Sequence, residues 1–192
     1  MKKDIILCGV GGQGILSIAT IIGEAATNAG ITLKQAEVHG MSQRGGDVQS
    51  NLRLSTGNIY SDLIPQGGCD IIISMEPMEA LRYLPYLSKD GVIVTSNKPF
   101  VNIPNYPEES KLFDELSQLP KVVQLDIEQV AKDAGSSRSA NVVLLGMAAT
   151  YLEIVSTDEL RTAVATIFAR KGEAVVEANL KAFDMGVNAA NK

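Results

Sequence analysis

A cluster of glycines near the start of the chain constrains its fold more than any other feature. Residues 4–9 form a short apolar run that is typical of a buried parallel strand, and the letters Gly-Val-Gly-Gly-Gln-Gly occupy positions 9–14. From Gly14 to Gly30, apolar residues recur with the one-sided spacing of an amphipathic helix. This order predicts a βα unit whose turn presents free N–H groups to an anion.

The rest of the chain alternates between strand-like and helix-like segments as far as Gly135. We expect strands at 32–38, 47–55, 69–75, 91–96 and 121–125, and helices at 77–87, 111–119 and 127–134. The alternation of apolar and polar residues at 47–55 suits a strand at a sheet edge, and residues 59–60 are expected to pair back across a turn. Residues 99–107 hold three prolines and should form an irregular crossing.

After Gly135 no segment has a strand pattern, and three helices are expected, at 140–155, at 157–171 and near the end of the chain. The pattern therefore predicts an α/β fold, a Rossmann-like doubly wound, mostly parallel sheet with a helical C-terminal part. We expect one domain over 1–192, with the sheet in 1–135 and the helical part in 136–192.

Composition excludes several classes of protein. The 192 residues carry a net charge of −5, which argues against a non-specific nucleic-acid binder. The longest purely apolar run, 142–149, is too short to span a membrane, and the N-terminal apolar segment breaks into glycines where a secretion signal would continue. Two cysteines and one histidine are too few for a zinc or iron–sulfur site, so we expect buried, reduced thiols in a cytoplasmic protein.

A second unusual loop follows the second predicted strand. Residues 37–48 read Glu-Val-His-Gly-Met-Ser-Gln-Arg-Gly-Gly-Asp-Val, and they lie at the carboxyl end of a strand, where α/β proteins bind ligands. Arg44 can make a two-pronged hydrogen bond to a carboxylate or phosphate. His39 is the side chain here whose ordinary pKa lies near neutrality. Nothing in this loop would help a core, so we expect it to serve function.

The residues leave three interpretations of the first glycine loop open. It can bind a dinucleotide through Gly9, Gly11 and Gly14, with Glu37 near a ribose hydroxyl. It can serve only the tight turn and close packing of strand and helix. It can also line an interface or an anion site for a ligand that is shared with a partner, which Gln13 and the adjacent second loop favour.

Together the two loops resemble a known family. The segments Gly-Val-Gly-Gly-Gln-Gly-Ile-Leu and His-Gly-Met-Ser-Gln-Arg-Gly-Gly resemble the gamma-type subunit of 2-oxoacid:ferredoxin oxidoreductases. The segment that begins at Asn141 is similar to the family's Asn-x-x-x-Leu-Gly helix, so the resemblance covers nearly the whole chain. His39, where pyruvate enzymes more usually have tyrosine, points to the small beta subunit of the indolepyruvate branch.

The resemblance implies oxidative decarboxylation of an aryl 2-oxoacid, with coenzyme A as acyl acceptor and ferredoxin as electron acceptor. It places thiamine diphosphate, Mg²⁺ and 4Fe-4S clusters in a large alpha subunit and no cofactor in this chain alone. It implies catalytic roles for His39, Gln43 and Arg44, inactivity of the chain alone, and no nucleic-acid or membrane partner. The ligand-binding residues that it implies are Gly9, Gly11, Gly12, Gln13, Gly14, Ser42, Gly45, Gly46 and Asn141. Asn141 would also cap the following helix and hold the loops.

Two rival functions share the same scaffold. One is a free-standing NAD- or FAD-binding oxidoreductase, and the other is an assembly subunit without chemistry. Glu76 and Asn97, each directly after a predicted strand, are weaker candidates for functional residues.

Overall fold

The computed structural model describes residues 1–39 and 45–190, and of His39 it describes the backbone alone. Within these residues six strands form one sheet in the order β2-β3-β1-β4-β5-β6. The strands are β1 Lys2–Val10, β2 Thr32–His39, β3 Asp47–Ser55, β4 Cys69–Ser74, β5 Leu87–Ser96 and β6 Val122–Leu125.

The sheet is mostly parallel, as predicted. β1, β4, β5 and β6 pair in parallel, and β3 alone among the six runs the other way, antiparallel to both β1 and β2. The expectation that 47–55 is an edge strand was wrong, because β3 lies between β2 and β1 and its centre is buried. The pairing expected for residues 59–60 is also absent from the sheet, and Tyr60 is 91% exposed.

Helices cover the two faces of the sheet unequally. They are α1 Ile15–Asn28, α2 Pro77–Arg82, α3 Glu109–Ser117, α4 Ile127–Asp133, α5 Ala140–Leu152, α6 Thr157–Phe168 and α7 Glu173–Ala190. The larger core joins one face of the sheet to α1, α4, α5, α6 and α7, whereas a smaller cluster of apolar residues on the other face includes Ala80 of α2. Among the described helices, none is both long enough and apolar enough to cross a bilayer.

The helix α5 is the centre of the C-terminal part. It is buried on nearly every side, as its all-round apolar sequence predicts. At Gly146 it crosses α7 so closely that an added Cβ would lie 2.2 Å from the carbonyl oxygen of Phe183. The first turn of α5 faces the glycine loop after β1, and α5 thereby connects the core to the candidate site.

Candidate functional site

The first glycine loop needs glycine for two different reasons. Gly12 has a φ of +102° with open space where a Cβ would lie, so the backbone conformation itself favours glycine. Gly14 caps the start of α1 with a φ of +86°, and a Cβ there would lie 2.8 Å from Nδ2 of Asn141. The loop therefore opens directly into the N-terminus of a long helix, where unpaired N–H groups favour a negative charge.

The side chain of Gln13 stabilises this loop. Its side-chain oxygen accepts a hydrogen bond from the backbone N–H of Val10 at 2.7 Å. From the sequence, Gln13 was expected to offer its polar side chain to a ligand. The structure shows that the oxygen holds the turn, while Gln13 as a whole also lines the cleft described below.

The described end of the second loop lies beside the first glycine loop. The N–H of Gly11 donates to the carbonyl of Gly46 at 2.8 Å, and the N–H of Gly45 donates to the carbonyl of Gly11 at 3.4 Å. The cause is the sheet topology. β1 and β3 pair antiparallel up to Val10 and Asp47, so the end of β1 and the start of β3 lie at the same edge of the sheet. The structure thus brings Gly11, Gly45 and Gly46 together.

Several residues of the second loop lie outside the described residues. These are Gly40, Met41, Ser42, Gln43 and Arg44, together with the side chain of His39. The backbone of His39 ends β2, opposite Val48 of β3. The roles expected of His39, Ser42, Gln43 and Arg44 stay predictions.

Asn141 ties the C-terminal helices to the first loop. Its Nδ2 donates to the carbonyl of Gly14 at 3.1 Å. The expectation that it caps its own helix was wrong, because Ser139 is the N-cap of α5 and no side chain caps that end. Asn141 already lies in the first turn of α5, so its side chain reaches out to the glycine loop and fixes where α1 begins.

A cleft of about 510 Å³ opens beside the first loop and is rich in positive charge. Its lining includes the four basic residues Lys98, Lys132, Arg138 and Lys171, against one acidic residue, Glu128. The chain as a whole carries a net charge of −5, so this concentration of cations opposes the overall charge. A basic cleft at a helix N-terminus is suited to a ligand with phosphate or carboxylate groups.

Sequence reasoning missed these cations. They come from the segment after β5, from α4, and from the 3-10 turns Ser137–Ser139 and Ala169–Lys171, so no local motif contains them. Lys171 in particular reads as a solvated helix end in the sequence, yet it lines the cleft and lies 5.0 Å from the ring centre of Phe168. The one indication of the cleft in the sequence was Arg138, a basic residue three positions before Asn141.

Glu76 has a structural task. It is fully buried, and one carboxylate oxygen caps α2 by accepting the N–H of Glu79 at 2.9 Å. The other oxygen accepts the N–H of Phe100 at 3.2 Å and the hydroxyl of Tyr106. Burial and this neighbouring carboxylate raise the pKa of Tyr106, so its hydroxyl remains a donor at neutral pH.

The two thiols and the acidic residues do not form a metal site in the part of the chain that the structure describes, where no three His, Cys, Asp or Glu residues converge suitably. Cys8 and Cys69 are buried and unbonded to each other. Burial raises the pKa of both thiols, that of Cys69 to about 12, so neither is poised as a nucleophile.

The dinucleotide interpretation meets a topological obstacle. In that arrangement the acidic residue ends the strand next to β1, but here β3 separates β1 from β2, which carries Glu37. Two strand spacings amount to about 10 Å. Glu37 therefore lies one strand too far from the first glycine loop for the ribose contact that its place in the sequence suggested.

Comparisons with known proteins agree on one relationship. The family model described as pyruvate ferredoxin/flavodoxin oxidoreductase matches residues 4–189. The indolepyruvate oxidoreductase subunit IorB of Pyrococcus horikoshii is 38% identical, with 100% of this chain and 98% of the relative covered.

Solved structures show the same fold. The gamma subunit of a keto/oxoacid ferredoxin oxidoreductase from Geobacter sulfurreducens is 28% identical, with a TM-score of 0.71 and 98% of both chains covered. A 2-oxoglutarate:ferredoxin oxidoreductase from Magnetococcus marinus, solved with 2-oxoglutarate, coenzyme A and succinyl-CoA, is 24% identical with a TM-score of 0.77. There the match covers 99% of this chain and 31% of the longer one.

Proposed function

Since this chain belongs to the pyruvate ferredoxin/flavodoxin oxidoreductase family, we propose that it completes the active site and the coenzyme A site of a larger subunit. It is a subunit of a 2-oxoacid:ferredoxin oxidoreductase, and the relatives favour this function over a free-standing dinucleotide enzyme. The similarity to the IorB subunit supports an aryl 2-oxoacid such as indolepyruvate as the substrate, and we place the complex in the cytoplasm.

The observation that carries this proposal is the basic cleft beside the first glycine loop. Coenzyme A bears a pyrophosphate and a ribose phosphate, and both suit Lys98, Lys132, Arg138 and Lys171. The N-terminus of α1 opens into the same cleft through Gly12 and adds its N–H groups to the positive potential. The Magnetococcus marinus enzyme, which contains a domain of this fold, was solved with coenzyme A bound.

The described residues do not fit the family's iron–sulfur clusters. Cys8 and Cys69 are buried in one apolar cluster, and no set of His, Cys, Asp and Glu residues within 1–39 and 45–190 is arranged to bind a metal. In this proposal thiamine diphosphate, Mg²⁺ and iron–sulfur clusters belong to the larger subunit, where they would supply decarboxylation and electron transfer to ferredoxin. This chain contributes binding and orientation.

In this proposal the second loop supplies side chains that contact the substrate or coenzyme A. Gly11 holds Gly45 and Gly46 at the sheet edge, and Arg44 directly precedes them. Its guanidinium would bind the substrate carboxylate or a coenzyme A phosphate, while His39 and Gln43 would donate hydrogen bonds near the reacting centre. The pairing of the loops would align these groups with the larger subunit's chemistry.

Reconstitution tests this assignment. The chain alone, the larger subunit alone and the assembled complex are each assayed for dye reduction that depends on 2-oxoacid and coenzyme A. We expect turnover from the complex alone. Activity of the isolated chain, or full activity of the larger subunit without it, would overturn the proposal.

Charge removal tests the cleft. In the complex, Lys132→Ala/Arg138→Ala should raise the KM for coenzyme A at least tenfold, because two lost phosphate contacts of about 0.7 kcal/mol or more each amount to about 1.4 kcal/mol. The matched control is Lys89→Ala/Lys111→Ala, which removes the same charge from two exposed positions outside the cleft lining. Equal KM values for the two double variants would show that the cleft does not bind coenzyme A.

A further inference from the structure

The basic cleft beside the first glycine loop is also lined by two aromatic residues. They are Phe100, in the irregular segment 97–108 between β5 and α3, and Phe168, at the end of α6. Phe168 is 9% exposed, and Lys171 lies 5.0 Å from its ring centre. Phe100 is 47% exposed, so much of its surface is open to a ligand that enters the cleft.

The core does not account for Phe100. Within the described residues it belongs to neither of the two apolar clusters, whereas Met75 and Ile127 of the same cleft lining are part of the larger one. A large apolar side chain that water covers forgoes the free energy of burial. Single exposed apolar residues are common on protein surfaces, but this one lies inside a cleft among cations. Its location therefore points to a ligand.

The backbone of Phe100 is held in place. Its N–H donates to a carboxylate oxygen of Glu76 at 3.2 Å, and Glu76 is fully buried just after the carboxyl end of β4. Two residues further on, Nδ2 of Asn102 donates to the carbonyl of Gly45 at 2.8 Å. An aromatic residue on a fixed backbone loses little conformational entropy when it binds a ligand. These bonds prepare Phe100 as a binding surface.

A cation and this aromatic residue lie close together on one segment. Lys98 and Phe100 are two residues apart, and both line the cleft. Lys132, Arg138 and Lys171 add further positive charge to the lining. Cations bind phosphates, whereas an exposed aromatic ring binds flat ring systems by stacking. The combination fits a nucleotide, in which a ribose joins phosphates to an aromatic base.

We infer that Phe100 stacks on the adenine ring of coenzyme A while the basic residues of the cleft bind its phosphates. This inference rests on the proposed coenzyme A site and names the residue of that site that recognises the base. Stacking on a part of the ligand that does not react contributes to binding and not to the chemical step. Phe100 therefore sets the affinity for coenzyme A and leaves kcat unchanged.

The test measures three constants in the assembled complex. They are the KM for coenzyme A, the inhibition constant of its adenosine bisphosphate fragment, which carries the base, and that of inorganic pyrophosphate, which does not. Phe100→Ala should raise the first two about tenfold and leave kcat and the pyrophosphate constant within about twofold of the wild type. Phe100→Leu, which keeps apolar bulk without a ring, should behave like Phe100→Ala, and Phe100→Trp should behave like the wild type. The matched control is Val101→Ala, at a 71% exposed position outside the cleft lining, which should change none of the three.

The phosphate-binding variant separates this inference from the function on which it rests. Lys132→Ala/Arg138→Ala should raise all three constants. If it raises the KM for coenzyme A and Phe100→Ala does not, the inference is wrong and the proposed coenzyme A site stands. If neither variant raises that KM, the proposed site is wrong, and this inference with it.

Three other results would also overturn the inference. An equal rise of the pyrophosphate constant in Phe100→Ala would show that Phe100 only shapes the cleft. Wild-type constants in Phe100→Leu would show that apolar bulk, and not a ring, is what the position needs. Loss of the complex in size-exclusion chromatography of Phe100→Ala would show that Phe100 contacts the larger subunit instead of coenzyme A.

Discussion

The crossing of α5 and α7 makes the most specific prediction about stability. At Gly146 the two helices touch backbone to backbone, and the contact is reciprocal, because a Cβ at Gly186 would lie 2.1 Å from the carbonyl oxygen of Val143. Since a carbon and a carbonyl oxygen approach to about 3.3 Å, Gly146→Ala would push the helices apart by about 1 Å. α5 is buried on nearly all sides, so it can move away from α7 only by disturbing its other neighbours.

The expected magnitude follows from two opposing effects. Alanine favours a helix over glycine by about 1 kcal/mol, whereas overpacking a rigid contact typically costs about 1–3 kcal/mol and more when backbone atoms clash. Gly23→Ala in α1 is the matched control, because its Cβ would lie at an ordinary 3.6 Å from Leu33. We expect Gly146→Ala to lower the free energy of unfolding by about 2 kcal/mol and Gly23→Ala to raise it by about 0.5–1 kcal/mol.

Urea unfolding followed by circular dichroism measures both values. The site provides a second readout, since the first turn of α5 carries Asn141, which holds Gly14. A displaced α5 should weaken that bond and raise the KM for coenzyme A in the complex. Equal free energies of unfolding for Gly146→Ala and Gly23→Ala would refute the close crossing of α5 and α7.

Three further predictions concern the scaffold. Because burial raises the pKa of both thiols, Cys8 and Cys69 should not react with a thiol reagent at pH 8 until the protein is unfolded, and rapid native labelling would contradict their burial. Ser156→Ala should cost about 1 kcal/mol at pH 7 in denaturant unfolding by removing a capping box. The backbone N–H and then the hydroxyl of Ser156 lower the pKa of Glu159 by hydrogen bonding. Ser156→Ala removes only the hydroxyl, so the part of its cost that comes from this bond should shrink as the pH falls through the lowered pKa, and a cost that grows would refute the cause. Arg53→Leu should cost about 2 kcal/mol, because it strips the two-pronged partner from the buried carboxylate of Asp4 and leaves Lys2, 2.8 Å away, to pair with it; a cost below about 0.5 kcal/mol would refute that role.

Much of the fold could be predicted from local pattern. The buried strands β1 and β4, the glycine turn before α1, and Pro77 at the start of α2 each carry their signal within a few residues. The position of β3 could not be predicted in the same way. Its alternating sequence fits an edge strand. Its place inside the sheet depends on pairing with β2 on one side and β1 on the other, and these are contacts with other segments that the local sequence does not encode.

In the candidate site, too, the features that are contiguous in sequence could be predicted and those that only folding brings together could not. The two glycine loops were visible because their glycines and polar residues are contiguous in sequence. The basic cleft was not, since Lys98, Arg138 and Lys171 become neighbours only through folding. The hydrogen bond from Nδ2 of Asn102 to the carbonyl of Gly45, 57 residues away, was equally hidden, because a single asparagine in a proline-rich segment gives no sign of such a contact.

Hydrogen–deuterium exchange on the assembled complex, with and without coenzyme A, shows most directly whether this chain forms part of the coenzyme A site. We predict that coenzyme A slows exchange in this chain at the glycine loop 10–16 and in the cleft segments around Lys132 and Arg138. The amino-terminal end of β5, around Lys89, should not change. Protection confined to the larger subunit, with these segments unaffected, would contradict a coenzyme A site in the basic cleft.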